Sequence, residues 1–235
     1  MKIAMNALTL TDVTKTFTMH LQGGLRLPVL RNVTFAAAPG QCLVLTGPSG
    51  AGKSSVLKLI YGNYRCDHGH ILVSAGGSTV DIASAAPREI LSVRQRALGY
   101  VTQFLRAVPR VSALDIVAEP LMSKGVARDE ATARAAAMLK RFNVPDRLWS
   151  LPPSTFSGGE QQRINLARGL LPEHPILLLD EPTASLDANN RAVVVDIIRE
   201  RKAQGAAIVA IVHDDAVRAD IADIAVDVTL FATAA

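Results

Sequence analysis

One short segment, GPSGAGKSS at residues 47–55, restricts the possible folds of this 235-residue chain more than any other. It matches the pattern G-x-x-x-x-G-K-[S/T], follows the compact apolar run QCLVLT and precedes a segment with helical spacing. Glycines in such a loop let successive backbone N–H groups point toward one anion, and the start of a helix adds a favourable dipole. The segment therefore predicts a phosphate-binding loop between a buried strand and a helix.

Two side chains of this loop have separate expected tasks. Lys53 is expected to reach the β- and γ-phosphates of a nucleoside triphosphate, and Ser54 is expected to ligate Mg²⁺. ATP and Mg²⁺ are therefore the expected ligand and cofactor. The predicted nucleotide-binding residues of the loop are Gly47, Pro48, Ser49, Gly50, Ala51, Gly52, Lys53, Ser54 and Ser55.

Two acids follow directly after a second apolar run, in ILLLDEP at residues 176–182. Because ligands of open α/β sheets bind at the carboxyl ends of the strands, Asp180 is expected near the metal and Glu181 nearer the γ-phosphate. Asp180 would hold Mg²⁺ through water, and Glu181 would orient and deprotonate the attacking water. His213 follows the apolar run AAIVAIV and is expected at the same edge, where it could contact the γ-phosphate or act only as a polar cap of the strand.

The order of the predicted elements indicates an α/β fold. Residues 1–46 are predicted to form short strands at ALTLTDVTKTFTM, LPVLRNVTFAAA and GQCLVLT, and residues 70–82 predict an antiparallel hairpin around AGGS. The strand PILLLDEP, a helix near 188–204 and the strand AAIVAIVH form a β-α-β unit, which implies a parallel sheet. Residues 112–149 are rich in alanine and helical in pattern. We predict one domain, 1–235, with an α/β core at 1–103 and 165–235 and a helical lobe at 104–164.

Composition and charge exclude several classes of protein. The net charge is +4 with scattered basic residues, and only 4% of residues are aromatic, so no clustered basic face or stacking platform for nucleic acid is indicated. Cys42 and Cys66 are too few for a disulfide framework. No apolar run approaches the roughly 20 residues of a spanning helix, and the first residues lack the apolar segment of a signal peptide. We expect a cytoplasmic protein that binds no nucleic acid and does not itself insert into the membrane.

The segment RCDHGHILV places Cys66, His68 and His70 close together. Their spacing does not fit a closed four-ligand zinc site, and no further ligands lie nearby in the sequence. We predict a solvated loop before the hairpin at these positions.

A second glycine-containing segment, STFSGGEQQRINLARG at 154–169, ends a loop and begins a predicted helix. This segment, the phosphate loop, Gln103 after ALGYVT, LLLDEPTASLD and His213 occur in the order and spacing of the ABC ATPases, and nearly the whole chain resembles their nucleotide-binding domain. The resemblance implies a RecA-like P-loop NTPase core with an N-terminal antiparallel β subdomain and an inserted α-helical lobe. It also implies that two cassettes pair head to tail, each placing its SGGEQ segment on the γ-phosphate that the other holds.

Further roles follow from this resemblance. Gln103 would reach the metal and the attacking water, and Phe17 would stack on adenine, although Phe17 could equally be a core residue. Because each site would need a second cassette, we expect the monomer to hydrolyse ATP poorly. The second cassette would be another copy of this chain or a different chain. The residues that would contact the partner's nucleotide are Ser157, Gly158, Gly159, Glu160 and Asp187.

Four flanking segments resemble a narrower group, the PhnL-type ATPases of the bacterial carbon–phosphorus lyase system, which degrades phosphonates. They are GGLRLPVLRNVTF, QFLRAVPRVSALDIV, NVPDRLWSLPPSTFSGGEQQRINLARG and GAAIVAIVHDDAVR. The resemblance implies that the other subunits of that soluble system are partners. It also associates the chain with the synthesis of ribose 1-methylphosphonate 5-triphosphate.

Other functions remain open from the sequence. A membrane transporter ATPase, most like the short exporter ATPases, shares the same cassette, whereas a small-molecule P-loop kinase would leave SGGEQ unexplained. Arg106 and Arg110 follow Gln103 and are candidates for docking an acidic partner surface, although solvated charges are the ordinary alternative.

Overall fold

An antiparallel sheet is formed by the N-terminal part of the chain in the computed structural model, which describes residues 6–19, 21, 23–105 and 109–232. Its strand order is β2-β1-β4-β5. One face is apolar because residues such as Leu8, Leu10 and Val33 are buried against the rest of the molecule. The strands are β1 (Leu8–Met19), β2 (Leu25–Ala37), β4 (His68–Ala75) and β5 (Ser78–Asp81).

A parallel sheet with the order β6-β7-β8-β3-β9 forms the centre of the fold. Both faces of its inner strands are covered, which explains why CLVLT, ILLLD and AIVAI are continuous apolar runs rather than alternating ones. The strands are β3 (Cys42–Thr46), β6 (Leu98–Val101), β7 (Ile176–Asp180), β8 (Ala207–Ile211) and β9 (Ile224–Asp227).

Helices cover the two faces of the parallel sheet and create two apolar cores. One core lies toward the antiparallel sheet and includes α1 (Lys53–Ile60) and Val93 of α2 (Pro87–Arg96). The other core contains buried residues of α3 to α7 and the opposite face of the same strands. These helices are α3 (Ala113–Met122), α4 (Arg128–Arg141), α5 (Gly158–Leu170), α6 (Ala188–Ala203) and α7 (Asp215–Ile221). None of the helices in the described ranges combines the length and the apolar character that a bilayer crossing requires.

The parallel direction of the central strands brings three segments to one edge. The phosphate loop follows β3, Glu181 follows β7, and His213 follows β8. Since the carboxyl ends of parallel strands share an edge, residues more than a hundred positions apart in the sequence become neighbours.

The predicted fold class is confirmed: a parallel P-loop core carries an antiparallel β subdomain and helices. The strands predicted at ALTLTDVTKTFTM and LPVLRNVTFAAA are confirmed as β1 and β2, although with 12 and 13 residues these strands are not short. The register between them shifts after Leu10, so burial does not alternate strictly along β1. The division into core and lobe stays a prediction, and its second boundary falls within the continuous helix α5.

The predicted solvated loop at Cys66, His68 and His70 is partly wrong. His68 and His70 lie within β4, because the pairing of β4 with β1 extends to His68 opposite Thr14. His70 Nδ1 lies 2.8 Å from a carboxylate oxygen of Asp81 on the neighbouring strand. The described residues contain no group of three or more side chains arranged to hold a metal ion.

Candidate active site

The phosphate loop has a backbone that only glycine adopts easily at several positions. Gly47, Gly50 and Gly52 have φ angles of 125°, 83° and 96°, in the left-handed region. A Cβ on Gly52 would also lie only 2.9 Å from Cδ2 of Leu30. The loop therefore takes its curled shape from the glycines that the sequence pattern requires, and it leads directly into α1.

Lys53 is the first residue of α1 and is only 7% exposed. Its Nζ atom donates hydrogen bonds to the carbonyl oxygens of Gly47 at 2.7 Å and Pro48 at 2.8 Å. The ammonium group thus lies within the curl of the loop, where a bound phosphate would also lie.

Ser54 and Asp180 form a pair of oxygen ligands beside the loop. The Ser54 hydroxyl donates to Asp180 Oδ1 at 3.0 Å, and the Tyr100 hydroxyl donates to Oδ2 at 3.2 Å. Burial raises the pKa of Asp180, although both hydrogen bonds favour the ionised form. A hydroxyl and a carboxylate on adjacent elements are the hard oxygen donors that Mg²⁺ accepts, so these residues fit the expected cofactor.

Glu181 is the meeting point of the predicted catalytic residues. Its Oε1 lies 2.9 Å from Nε2 of His213, and its Oε2 accepts a hydrogen bond from Nε2 of Gln103 at 3.0 Å. A carboxylate can only accept, so Nε2 of His213 must carry the proton in this contact. The expected contacts of His213 with the γ-phosphate and of Gln103 with the metal stay predictions, since both side chains bind Glu181 in this structure.

The backbone of Glu181 is unusual for a residue with a side chain. Its φ angle is 53°, and its N–H donates to the carbonyl of Ile211 on β8 at 3.1 Å. A non-glycine residue in the left-handed region persists only where its surroundings hold it there. The sharp turn after β7 therefore directs the carboxylate toward Gln103 and His213.

Phe17 lies near the outer end of β1 and is half-buried. Its ring meets that of Tyr64 edge-on, with centroids 5.0 Å apart, and Nζ of Lys15 lies 5.2 Å from its centroid. Phe17 is absent from both apolar cores. The stacking of adenine on Phe17 stays a prediction.

The SGGEQ segment begins α5 through a reciprocal cap. The backbone N–H of Glu160 donates to Oγ of Ser157 at 3.4 Å, and the backbone N–H of Ser157 donates to Oε2 of Glu160 at 2.9 Å. The Ser157 hydroxyl donates to the same carboxylate oxygen, and this hydrogen bond lowers the pKa of Glu160. The carboxylate of Glu160 thus serves the helix cap, while its predicted contact with a partner's nucleotide stays untested.

Gly158 and Gly159 have no structural need to be glycine within the described chain. Neither has a φ angle in the left-handed region. A Cβ on Gly158 would meet no atom within 4 Å, and one on Gly159 would meet only the carbonyl oxygen of Ser185, at 3.5 Å. Glycine at the exposed position 158 and the partly exposed position 159 leaves room for something outside the chain to approach the backbone at the start of α5.

Asp187 caps α6 and is exposed. Its Oδ1 accepts hydrogen bonds from the backbone N–H of Asn190 at 2.8 Å and from Nδ2 of Asn190 at 3.0 Å. These bonds, the backbone one first, lower the pKa of Asp187. In the described chain, no hydrogen bond joins the Ser157–Glu160 segment or Asp187 to the phosphate loop.

Several residues near the site were not predicted. Tyr100 precedes Gln103 by three residues on β6 and contacts Asp180, and the buried Asn165 donates to the carbonyl of Thr102 at 2.5 Å. Neither residue belongs to a recognisable sequence motif, and only the tertiary structure brings them to the site. Arg106 lies outside the described residues, and the exposed Arg110 has a φ angle of 65°.

Comparison with known proteins finds similarity to ATP-binding proteins of ABC transporters. The family model described as ABC transporter matches residues 30–184. The lipoprotein-releasing system ATP-binding protein LolD of Alcanivorax borkumensis is 35% identical over 210 residues, covering 89% of this chain and 90% of that protein. LolD of Maricaulis maris is 38% identical over 189 residues, covering 80% of each. The dimeric post-hydrolysis structure of the ATP-binding cassette MJ0796 with ADP and Pi has a TM-score of 0.83 and 28% identity, and covers 94% of this chain and 95% of that one.

Proposed function

Because the chain belongs to the ATP-binding cassettes of the ABC transporter family, we propose that it works as one half of a pair of cassettes that complete each other's ATP sites. As a member of this family it binds and hydrolyses ATP. The open space above Gly158 carries the proposal of pairing, because glycine there serves no purpose within the described chain. The related cassette MJ0796, which is dimeric with ADP and Pi, supports it.

Within one chain, each group near the phosphate loop has a proposed task. Lys53 and the loop N–H groups bind the β- and γ-phosphates. Glu181 accepts a proton from the attacking water, while Gln103 and His213 hold its two carboxylate oxygens in place. Mg²⁺, when bound beside Ser54 and Asp180, would neutralise charge that develops on the phosphates.

The opposing chain supplies the remaining groups. Its α5 presents the hydroxyl of Ser157 and the backbone N–H groups of Gly158 and Gly159 at the start of a 13-residue helix. Free N–H groups and the helix dipole at such a position favour a phosphate. This half of the site has nothing to act on until another cassette brings its nucleotide.

We place this paired ATPase in the carbon–phosphorus lyase machinery for phosphonate catabolism. The support is the resemblance of four flanking segments to the PhnL-type ATPases, including NVPDRLWSLPPSTF before the SGGEQ segment. In this role the chain would work in the cytoplasm with the other subunits of that system, during synthesis of ribose 1-methylphosphonate 5-triphosphate. The sequence offers no site for the glycosyl transfer beyond the ATPase residues, so another subunit would perform it.

A second candidate is the ATPase subunit of a membrane transporter. It is favoured by the identity of 35% and 38% to two ATP-binding proteins of the lipoprotein-releasing system. The docking region would be the same in both cases: a cavity of about 630 Å³ runs beside Gln103 between β6 and α3. Phe104 at its margin is 73% exposed and could enter a partner's surface.

Growth on a phosphonate tests the first candidate. A deletion strain would be supplied with either methylphosphonate or phosphate as the sole phosphorus source, and complemented with the wild-type gene or with Glu181→Gln. We expect the strain to grow on phosphate but not on methylphosphonate, and only the wild-type gene to restore growth. Normal growth of the deletion strain on methylphosphonate would refute the phosphonate role.

Purification of the tagged protein from its host separates the two assemblies. One half of the cells would be extracted without detergent and the other half as detergent-solubilised membranes, with Lys53→Ala as a parallel sample. Recovery of carbon–phosphorus lyase subunits from the detergent-free extract supports the first candidate. Recovery of an integral-membrane permease, without those subunits, would establish the transporter role instead.

A further inference from the structure

Asn143 lies two residues after the end of α4, and its backbone conformation terminates that helix. Its φ angle is 53°, its N–H donates to the carbonyl of Lys140, and the N–H of Val144 donates to the carbonyl of Leu139. This is the Schellman arrangement, in which glycine or asparagine occupies the left-handed position. The backbone alone would be satisfied equally well by glycine, so the amide of Asn143 needs a separate explanation.

The amide of Asn143 crosses from the lobe to α6. Its Nδ2 donates to Oδ1 of Asn190 at 3.1 Å, although 47 residues separate the two in sequence. Asn190 is only 3% exposed, and its own Nδ2 lies 3.0 Å from both carboxylate oxygens of Asp187. The buried Asn190 therefore connects an exposed turn of the lobe to the residue that caps α6.

The direction of these hydrogen bonds is fixed by chemistry. The carboxylate of Asp187 can only accept, so Asn190 must turn its NH₂ group toward it and its carbonyl oxygen toward Asn143. Asn143 must then present its NH₂ group. The sequence of donors and acceptors runs in one direction only, and an acid at position 143 would place two acceptors against each other.

Asn143 also contacts the helix that starts with the SGGEQ segment. Nη1 of Arg163 on α5 donates to the carbonyl oxygen of Asn143 at 3.2 Å. The SGGEQ segment at the start of α5 and the turn before α6 are adjacent, since a Cβ on Gly159 would lie 3.5 Å from the carbonyl oxygen of Ser185. Asn143 is thus bound through its backbone to α5 and through its side chain to α6.

We propose that Asn143 and Asn190 are positioning residues that hold the Asp187 turn in register with the SGGEQ segment, so that both meet the partner's nucleotide together. This inference rests on the proposed pairing of cassettes. It adds two residues, on α6 and at the end of α4, that touch neither nucleotide nor metal but set the geometry of the half-site.

Asn143→Gly isolates the amide, because glycine keeps the left-handed turn and loses only the side chain. Asn143→Asp keeps the shape and reverses the donor. Asn189→Asp is the matched control, since it makes the same exchange at an exposed position one residue from Asn190. For each variant we would measure kcat, KM, the Kd of a fluorescent ATP analogue, the Tm and, in the Glu181→Gln background, ATP-dependent association.

Both Asn143 variants are expected to lower kcat and to weaken ATP-dependent association by up to about tenfold, the scale of losing one hydrogen bond between neutral groups. Nucleotide affinity should change less than about twofold, and the Tm of Asn143→Gly should fall only modestly, because the left-handed turn is preserved while Oδ1 of Asn190 loses its donor. The control should match wild type. A purely structural role would lower Tm and leave kcat per folded molecule unchanged.

Two failures can be told apart. If Glu181→Gln itself does not associate with ATP, alone or with the partner cassette from its host, the pairing is wrong and this inference falls with it. If that parent associates and the Asn143 variants associate as tightly with full kcat, the pairing stands and only the positioning role is refuted. Equal losses of kcat and nucleotide affinity would also refute it.

Discussion

Nε2 of His213 lies 2.9 Å from one carboxylate oxygen of Glu181, and this contact joins the ends of two neighbouring strands at the centre of the site. Gln103 holds the other oxygen at 3.0 Å. The carboxylate is therefore fixed from both sides, while 24% of the Glu181 side chain remains open to solvent. These two contacts fix the orientation of the carboxylate, as the proposed role of Glu181 as general base requires.

Glu181→Gln should bind ATP but stop its hydrolysis, because the amide keeps the shape of the side chain and cannot accept a proton from water. Paired cassettes should then accumulate with ATP trapped between them. Sedimentation with ATP, with ADP and without nucleotide checks this, the ADP sample serving as the control. Absence of ATP-dependent association, alone or with a partner cassette, would contradict the shared site.

Lys53→Ala should weaken ATP binding about tenfold or more, the scale of a hydrogen bond to a charged group. The ammonium lies within the phosphate loop, so its loss removes the positive charge closest to the phosphates. Titration with a fluorescent ATP analogue measures the effect, and Lys140→Ala, on the distant helix α4, is the control for charge. Unchanged affinity would show that this loop does not hold the phosphates.

Gly158→Ala should lower turnover by a factor on the order of 10² to 10³, because the added methyl group would keep the partner's phosphate away from the backbone N–H groups, with an effect like that of losing one donor that stabilises transition-state charge. Its own chain has room for the methyl group, so folding and nucleotide affinity should be preserved. Steady-state hydrolysis and equilibrium binding are measured on the same samples. Ser154→Ala, at an exposed position nearby, should behave as wild type, and equal losses of turnover and binding would exclude the role in trans.

Tyr100→Phe should raise the Mg²⁺ concentration required for half-maximal hydrolysis several-fold, about the effect of one hydrogen bond to a charged group. The hydroxyl contacts Oδ2 of Asp180, whose other oxygen bonds Ser54. Mn²⁺ binding to the nucleotide complex, followed by electron paramagnetic resonance, gives a readout independent of turnover. Tyr61→Phe is the control because its ring lies beside that of Tyr100, with centroids 5.1 Å apart. Identical metal requirements in all three proteins would remove Tyr100 from the site.

The central part of the site could be predicted from the sequence because its signals are local. Gly47 to Ser55 form a continuous motif, and Asp180, Glu181 and His213 each follow an apolar run. One topological rule, that parallel strands share their carboxyl edge, was sufficient to bring these segments together. The resemblance to the ABC ATPases added Gln103 and the SGGEQ segment.

Other contacts could not be predicted, because they depend on how elements pack. The register of β1 against β2 shifts after Leu10, and Asp12 and Asn32 in this region have φ angles of 52° and 55°, features that the alternating sequence pattern does not reveal. Helix α2 begins at Pro87 without a side-chain cap, so the proline and Glu89 in the first turn are its only start signals. The bond between Asn143 and Asn190 joins two polar residues whose surroundings give no hint of a partner, and only tertiary structure reveals it.

The open space beside Gly158 has a consequence for genetic complementation between inactive alleles. If the proposed pairing joins two identical chains, each ATP site would be built from the phosphate loop of one chain and the SGGEQ segment of the other. A chain damaged at Lys53 keeps an intact SGGEQ segment, and a chain damaged at Gly158 keeps an intact phosphate loop. Two such inactive alleles, expressed together, would therefore rebuild one working site in their mixed dimer, so the two loops behave as separate complementation groups within a single gene.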